Sequence, residues 1–534
     1  MKNAVYDDGQ YNKNSLPEGY PMRHTAIYFL FISMAICQSC DLGANMNTDT
    51  HSNIRKPAVA GKFYPEEASK LAKAVDYYLE DAVAPSGERP LALIAPHAGY
   101  IYSGQIAADA FNQAAGHDYD VVVLLGTNHT TPGFSKVSVY PKGGYETPLG
   151  IAKIDEAVAE KLLAAGEDFT FEESVHVREH SIEVQVPFVQ RLFPKARIVP
   201  AIVGNPKPDL CIRFGEALAA ALQDRKALIV SSSDLSHYPD YKDAGRVDGN
   251  TLDAILKMDP HALQSVIQKQ EAEGVRKLDT CACGVAPIMS AMTAAKKLGA
   301  NCARRVSYAN SGDASVGSHD RVVGYGAVAF AIDKNCTSSE AVKVFPPAQN
   351  TLNRRQKTAL LTFARETIRQ FLDSQTTPLA RGFDPALQKK QGAFVTLRKN
   401  GQLKGCIGHM AENLPLCQVV GKMALQAAFN DRRFSPLRPK ELPDTELEIS
   451  VLTPFQRVGG PENILVGRDG VLIRKAGRSA VFLPQVAPEQ GWNRDQMLSH
   501  LCRKAGLSPD TWKEEGMKFF TFQAIVFSES EVMK

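Results

Sequence analysis

The chain has 534 residues, more than one hydrophobic core holds, since single cores stop growing at roughly 250–300 residues. It is 44% hydrophobic and 22% charged, the composition of a folded globular protein rather than a disordered one. Its 61 basic and 58 acidic residues leave a net charge of +3. No basic stripe with interleaved aromatics occurs, which argues against nucleic acid or an acidic surface as partner.

In chain order, residues 1–54 read as an N-terminal tail. Met22 opens "MRHTAIYFLFISMAICQSCD", a positive start followed by an apolar stretch from Ala26 to Ile36. That stretch is short for a bilayer span and has the size of a signal-peptide core. Cys40, preceded by Ser39, resembles a bacterial lipoprotein cleavage site. Residues 22–40 are therefore a candidate export and lipidation signal, with an unstructured tail as the alternative. The chain is exported and membrane-anchored in the first case and cytoplasmic in the second. The ten cysteines are scattered in a way that does not look like a disulfide scaffold, and none of their spacings suggests a zinc ribbon.

From 55 to 332 short β-rich apolar runs alternate with helical stretches, the pattern of an α/β domain. The predicted strands are Leu91–Ala95, Val121–Leu125, Arg197–Ile202, Ala227–Ser231 and Val322–Ile332. The predicted helices are Glu66–Glu80, Gly104–Ala115, Ile154–Ala165, Ser181–Leu192, Ile212–Leu222, Asp248–Lys257 and Val285–Leu298. Residues 333–352 are polar, carry a proline pair and lack periodicity, so they read as a compliant linker between separately folded halves. From 353 to 530 the pattern is α+β. An amphipathic helix over Arg354–Asp373 comes first. Strands are predicted near Gly392–Arg398, Glu446–Leu452 and Gly470–Arg474, and helices over Leu414–Asn430 and Asp495–Ala505.

Ligands of open α/β sheets bind where loops leave the carboxyl ends of the strands. Three predicted strands end there in polar chemistry. The first hands on to His97, the second to Asn128 and His129, the third to Ser232, Asp234 and His237. Cys283 precedes the helix beginning near Val285, and a helix N-terminus favours thiolate, the metal-binding form. Two imidazoles plus one anionic ligand is how proteins hold a catalytic first-row metal with open positions. Taken singly, each residue reads equally well as a hydrogen-bonded loop histidine or a small buried thiol; their convergence is the signal. In "VREHSIEVQVPF", His180 and Glu183 are candidates for orienting a ligand or closing the cleft. The alternative is that Ser181 caps the helix and Glu183 decorates its first turn. His117, His176, His261 and His319 read as surface or structural.

The motifs "APHAGYIYSG", "GTNHT", "EHSIEVQVPF", "SSDLSHY" and "CG" followed by Pro287 resemble the Memo family across about residues 55–332. The resemblance implies the three-layer α/β/α fold of class III extradiol dioxygenases. It also implies a mononuclear metal site held by His97, His129 and Cys283, with iron first and copper or zinc behind it. His237 falls where the dioxygenases keep a catalytic acid/base histidine, with Asp234 beside it. Cys283 stands where they have a glutamate, which weighs against ring cleavage.

"GQLKGCIGHM", "AAFNDRRFSPL", "EISVLTP" and "VFLPQVAPEQGW" resemble the AMMECR-type domain over about residues 355–528. Cys406 is the candidate site there. It is either a reactive thiol in a cleft or a small buried residue between glycines that the backbone conformation requires. Joined modules of these two kinds imply a radical-SAM protein as partner, as in AmmeMemoRadiSam systems. This chain has no CxxxCxxC cluster motif, so the radical chemistry belongs to a separate protein. Nucleotide binding has no motif support. The reading that follows is a metal-dependent redox protein acting on an unidentified small molecule. The alternatives are a non-catalytic metal-binding scaffold and a zinc-dependent hydrolase.

Overall fold

The computed structural model describes residues 5–7, 53–204, 207–334, 336 and 352–533. The candidate leader at 22–40 and most of the predicted linker lie outside the described residues. In the first half, eight strands form one sheet: Pro90–Ala95 (β1), Val121–Thr127 (β2), Val137–Val139 (β3), Phe169–Thr170 (β4), Arg197–Val203 (β5), Ala227–Ser232 (β6), Cys302–Asn310 (β7) and Gly324–Ala331 (β8). Their order is β7-β8-β1-β6-β2-β5-β3-β4. Strands β1, β6, β2 and β5 are parallel neighbours. They are almost wholly buried apolar runs, as parallel strands covered on both faces must be. Helices Ala68–Glu80 (α1) and Tyr100–Asn112 (α2) pack over one face; Pro208–Leu222 (α3) and Val285–Lys297 (α4) pack over the other. This is the expected three-layer α/β/α arrangement, with its core between the layers.

The short strands β3 and β4 were not expected, and three longer elements differ from expectation. Strand β7 was not expected, because its sequence CARRVSYAN is that of a half-exposed edge. Helix Pro260–Ala272 also went unread. It buries only Leu263, Ile267 and Gln270, so its apolar stripe is thin, although Asp259 caps it by accepting from His261 N and Ala262 N. The helix expected from Ser181 begins instead as a 3-10 turn, Glu183–Gln185, and turns α-helical over Val186–Leu192 with a proline in its first turn. A disulfide, Cys302–Cys336, ties the start of β7 to the residues that follow β8.

The second half has two sheets. Ala393–Lys399 (β9), Gln402–His409 (β10), Thr445–Leu452 (β11) and Ala524–Ser528 pair in the order β10-β9-β11-Ala524–Ser528, with Val5–Asp7 added in parallel beside β10. Gln456–Val458, Lys518–Phe522, Gly470–Lys475 and Arg478–Phe482 form the other sheet. Helices Arg354–Ser374 (α5) and Leu416–Leu425 (α6) back the first sheet; Arg494–Lys504 (α7) backs the second.

The halves are not beads on a tether. Helix α5 lies along α1, where Tyr77 donates to Asp373 at 2.8 Å. Arg381 reaches Asp109, a fully buried carboxylate of α2, at 2.7 Å. From α6, Gln418 and Lys422 bond to the segment that follows β7. A charge buried in one half is thus paired from the other, a contact that the sequence, showing only a polar linker, does not reveal.

Candidate metal centre

The parallel centre of the sheet delivers its loops to one edge. Ala95 pairs with Ser232, and Leu125 with Ser231. His97, His129 and Asp234 each stand two residues beyond the last residue of their strands, Ala95, Thr127 and Ser232. Cys283 comes to the same edge from the opposite layer, two residues ahead of α4. Gly284 lets it approach, because a Cβ there would lie 2.5 Å from the Ser233 side chain and 2.6 Å from the Ser232 carbonyl.

One ligand atom from each of His97, His129 and Cys283 lies within 4.8 Å of the others. The hydrogen-bond network decides which atoms these are. Ser232 Oγ gives its own proton to Ser181 O at 2.6 Å and takes one from Gln185 Nε2 at 2.9 Å. It therefore accepts from His97 Nδ1–H at 2.9 Å, leaving His97 Nε2 with a lone pair. That lone pair faces Cys283 Sγ at 3.1 Å. His129 Nδ1 donates to Glu179 at 2.9 Å, so Nε2 is the nitrogen left for a cation, which it binds as the neutral imidazole. The carboxylate–imidazole pair is the arrangement that fixes tautomer and ring orientation at metal sites. The donor set therefore fits a metal ion.

Charge follows the same logic. Burial, and then the neighbouring His129, His180 and His237, hold the His97 pKa well below its ordinary value, so its imidazole is neutral. Burial opposes ionisation of Glu179, but its bonds and charge contacts with His129 and His180 outweigh that and hold it down to about 2. Burial lowers His129, and Glu179 more than compensates, so His129 is raised. Cys283 corrects the expectation that the helix N-terminus favours its thiolate. Burial and then the charge of Asp234 push the thiol well above its ordinary value. A buried thiol becomes a thiolate here only with a cation to neutralise it.

His97 and His129 open onto a cavity of about 600 Å³ that His180, Asp234 and His237 also line, whereas Cys283 lines a neighbouring pocket of about 330 Å³ with Thr127 and Thr280. His237 is pinned by backbone bridges to Thr280 and Val323, and its buried Nε2 has no hydrogen-bond partner. Burial, then the charge of His129, lowers its pKa. Asp234 takes a different part. Its Oδ1 accepts from His97 N at 2.7 Å and Ala98 N at 3.2 Å, clamping the loop that carries His97. Burial pushes it up to about 7. His180 stacks on His129 with centroids 4.7 Å apart and touches Phe63 on its other side. Arg321, stacked on Tyr238, stands at the rim.

Glu183 is not in this constellation. It is fully buried and accepts from Arg55, from Ala58 N and Val59 N, and from Tyr64. It neither orients a ligand nor decorates an exposed turn, and Ser181 does not cap but donates to Thr127 O. Arg55 continues to the carbonyls of His176 and Glu179 at 3.1 and 2.6 Å, so this buried pair seats the Glu179 segment. The residue missed in the sequence is Glu179. Its signal was a carboxylate directly before His180 in "REHS", but nothing local pointed it at His129.

Cys406 lies in β10, away from this cavity. Its Sγ accepts from Thr396 at 3.3 Å, its N–H donates to Asp431 at 3.0 Å, and its carbonyl accepts from Arg433 at 2.9 Å. The glycines beside it do not adopt left-handed backbone. They make room: a Cβ on Gly405 would lie 2.0 Å from Ala427 O, and one on Gly408 2.2 Å from the Phe394 ring.

Compared with known proteins, residues 55–329 match the family described as Memo-like protein, and residues 361–527 match AMMECR1. A MEMO1 family protein of Desulfurococcus amylolyticus is 36% identical over 292 residues, 52% of this chain and 99% of that protein. One of Saccharolobus solfataricus is 38% identical over 291 residues, again 52% of this chain and 99% of the relative. Among solved structures, an uncharacterized protein of Pyrococcus horikoshii is 35% identical, covering 34% of this chain and 94% of its own, with a TM-score of 0.32.

Proposed function

The chain belongs to the Memo family in its first half and carries an AMMECR1 domain in its second, and we propose that it is a redox protein with one metal ion held by His97, His129 and Cys283. A single observation carries the reading. Both imidazoles have Nδ1 committed to a partner, Ser232 for one and Glu179 for the other, and both Nε2 lone pairs share one small space with a thiol. Two imidazoles and a thiolate suit a borderline-soft first-row ion, and iron is our first assignment, ahead of copper and zinc. Such an ion supplies Lewis acidity and, as iron or copper, one-electron chemistry.

The chain's own groups do the rest. Asp234 and Ser232 hold His97 in place. Glu179 holds His129. His237 lines the cavity with a buried, unpartnered Nε2, neutral at physiological pH, and it is the proton acceptor we assign there. The cavity admits a small-molecule substrate, and a radical-SAM protein is the partner we assign to the fused chain.

The test is metal analysis of protein purified without oxygen. One equivalent of iron or copper that is lost in His97→Ala, His129→Ala and Cys283→Ser chains supports the reading. A wild-type chain that takes up no first-row metal sinks it. Aerobic turnover against a substrate panel then separates an enzyme from a metal-bearing scaffold.

A further inference from the structure

We propose that the AMMECR1 domain positions one wall of the Memo cleft, through Gln418 and Lys422 of α6. The wall is the segment 311–318, which gives Ser311, Val316, Gly317 and Ser318 to the cavity. It begins as a 3-10 turn, Ser311–Asp313, closed by a capping box with Asn310. Gly317 returns it so tightly that a Cβ there would lie 1.8 Å from Ser311 O.

Two hydrogen bonds reach this segment from the other domain. Gln418 Nε2 donates to Asp313 Oδ1 at 3.0 Å, the oxygen that also accepts from Tyr241 at 2.5 Å. Lys422 Nζ donates to Gly317 O at 3.2 Å. Lys422 is buried, at 8% exposure, and a buried ammonium is costly without such acceptors.

The contact continues into the cleft. Ser311 N donates to Val323 O at 2.8 Å, and Val323 N donates to Ser311 Oγ at 3.0 Å. Val323 stands opposite His237, and the bonds on either side of the pair run from Gly324 N to Ser236 O at 2.9 Å and from Tyr238 N to Val322 O at 2.7 Å. Two side chains of the second domain thus brace the wall that is paired with the segment carrying the cavity-lining His237. Gln418 and Lys422 are positioning residues; they act through the wall and touch no substrate. The consequence for ligands rests on the cleft being the functional site, as proposed above; the bracing itself does not.

The experiment uses the full chain. Amide hydrogen exchange is followed in peptides covering 311–323 for wild type, Gln418→Ala/Lys422→Ala, Lys422→Arg and Arg381→Ala. Losing two hydrogen bonds speeds exchange of that segment roughly 10-fold. Lys422→Arg keeps a donor and stays near wild type. Arg381→Ala opens the interface at Asp109, away from the wall, and leaves 311–323 unchanged. If the double variant does not fold, the single Lys422→Met and Gln418→Ala chains answer the same question. Exchange that rises in α6 but not in 311–323 overturns the proposal.

In a second arm, cobalt-loaded protein is titrated with imidazole and followed by visible absorption. The apparent Kd shifts roughly 2- to 30-fold in the double variant; an unchanged Kd overturns the claim that the wall governs the cleft. Protein that takes up no cobalt counts against the metal reading alone, and the exchange arm still decides the bracing.

Discussion

Cys283 and Cys406 are both half-buried thiols that burial holds protonated, and they differ in what is left over around them. Around Cys406 the hydrogen-bonding groups are matched: Thr396 donates to the sulfur, Asp431 takes the N–H, and Arg433 serves the carbonyl and pairs with Asp431. Around Cys283 the thiol meets His97 Nε2 at 3.1 Å and the Asp234 carbonyl at 3.7 Å, a ligand atom of His129 comes to the same space, and His237 nearby has a buried Nε2 without a partner. The first arrangement commits its thiol to hydroxyl and backbone partners. The second sets its thiol against two imidazoles that a cation could draw on together. A cysteine is marked as a candidate ligand by the imidazoles gathered around it, not by its own exposure.

The strongest way to break this comparison is to exchange the roles of the two cysteines. Cys283→Ser and His97→Ala each lower metal affinity by more than about 100-fold, beyond what supporting residues contribute, while Cys406→Ser leaves it unchanged. Competition with a chromogenic chelator measures both; metal loss from the Cys406→Ser chain would invert the contrast.

Next in size is Glu179→Gln. It weakens the hold on His129 Nδ1 without touching a ligand atom, and a loss of about 10- to 100-fold in metal affinity is expected in the same assay. A loss as complete as that of Cys283→Ser would make Glu179 a ligand.

The third prediction sets the titration of the buried histidines against the thiol chemistry. His176 is fully buried and bonded to Ser138 and Tyr145. Burial, then the charge of Arg55, lowers it to about 3. Between its ordinary value and about 3 the unfolded chain takes up a proton that the folded chain refuses. Stability therefore falls as pH drops through that window, by at most about 2 kcal/mol between pH 7 and pH 5. Calorimetry at the two pH values measures it, and the pH slope flattens in His176→Gln; an equal slope in both chains removes His176 from the account.

The smallest effect is Cys406→Ala. It costs about 1 kcal/mol of stability and changes neither metal content nor cleft. A larger change in thiol reactivity than in stability would show that Cys406 is more than packing.

Much of the site was legible because a parallel sheet sends its strand ends to one edge. Once β1, β2 and β6 were read from their apolar runs, His97, His129 and Asp234 had to meet. Cys283 was legible from its place just ahead of the helix that begins at Val285. Glu179, Ser232 and Gln185 were harder to assign, since their roles exist only in the network that fixes the two tautomers. Glu183 was placed beside the cleft because it sits close to His180 in sequence, whereas its partner, Arg55, lies more than a hundred residues away. The edge strand β7 and the thinly striped helix Pro260–Ala272 carry too little periodicity to declare themselves. The interface was invisible for a related reason: Asp109 and Arg381 each look like solvated charges until they are brought together.

Arg55 also determines where this chain tolerates being cut. Its guanidinium pairs with Glu183 and holds the carbonyls of His176 and Glu179, so the front of the domain clasps the strip that supports His129. A protease that trims the N-terminal stretch before Asn53 spares that clasp. A cut on the far side of Arg55 removes it and leaves Glu183 a buried charge without its counter-ion, a loss of about 3–5 kcal/mol. A cut in the preceding stretch therefore leaves the clasp intact, whereas one just beyond Arg55 undoes it.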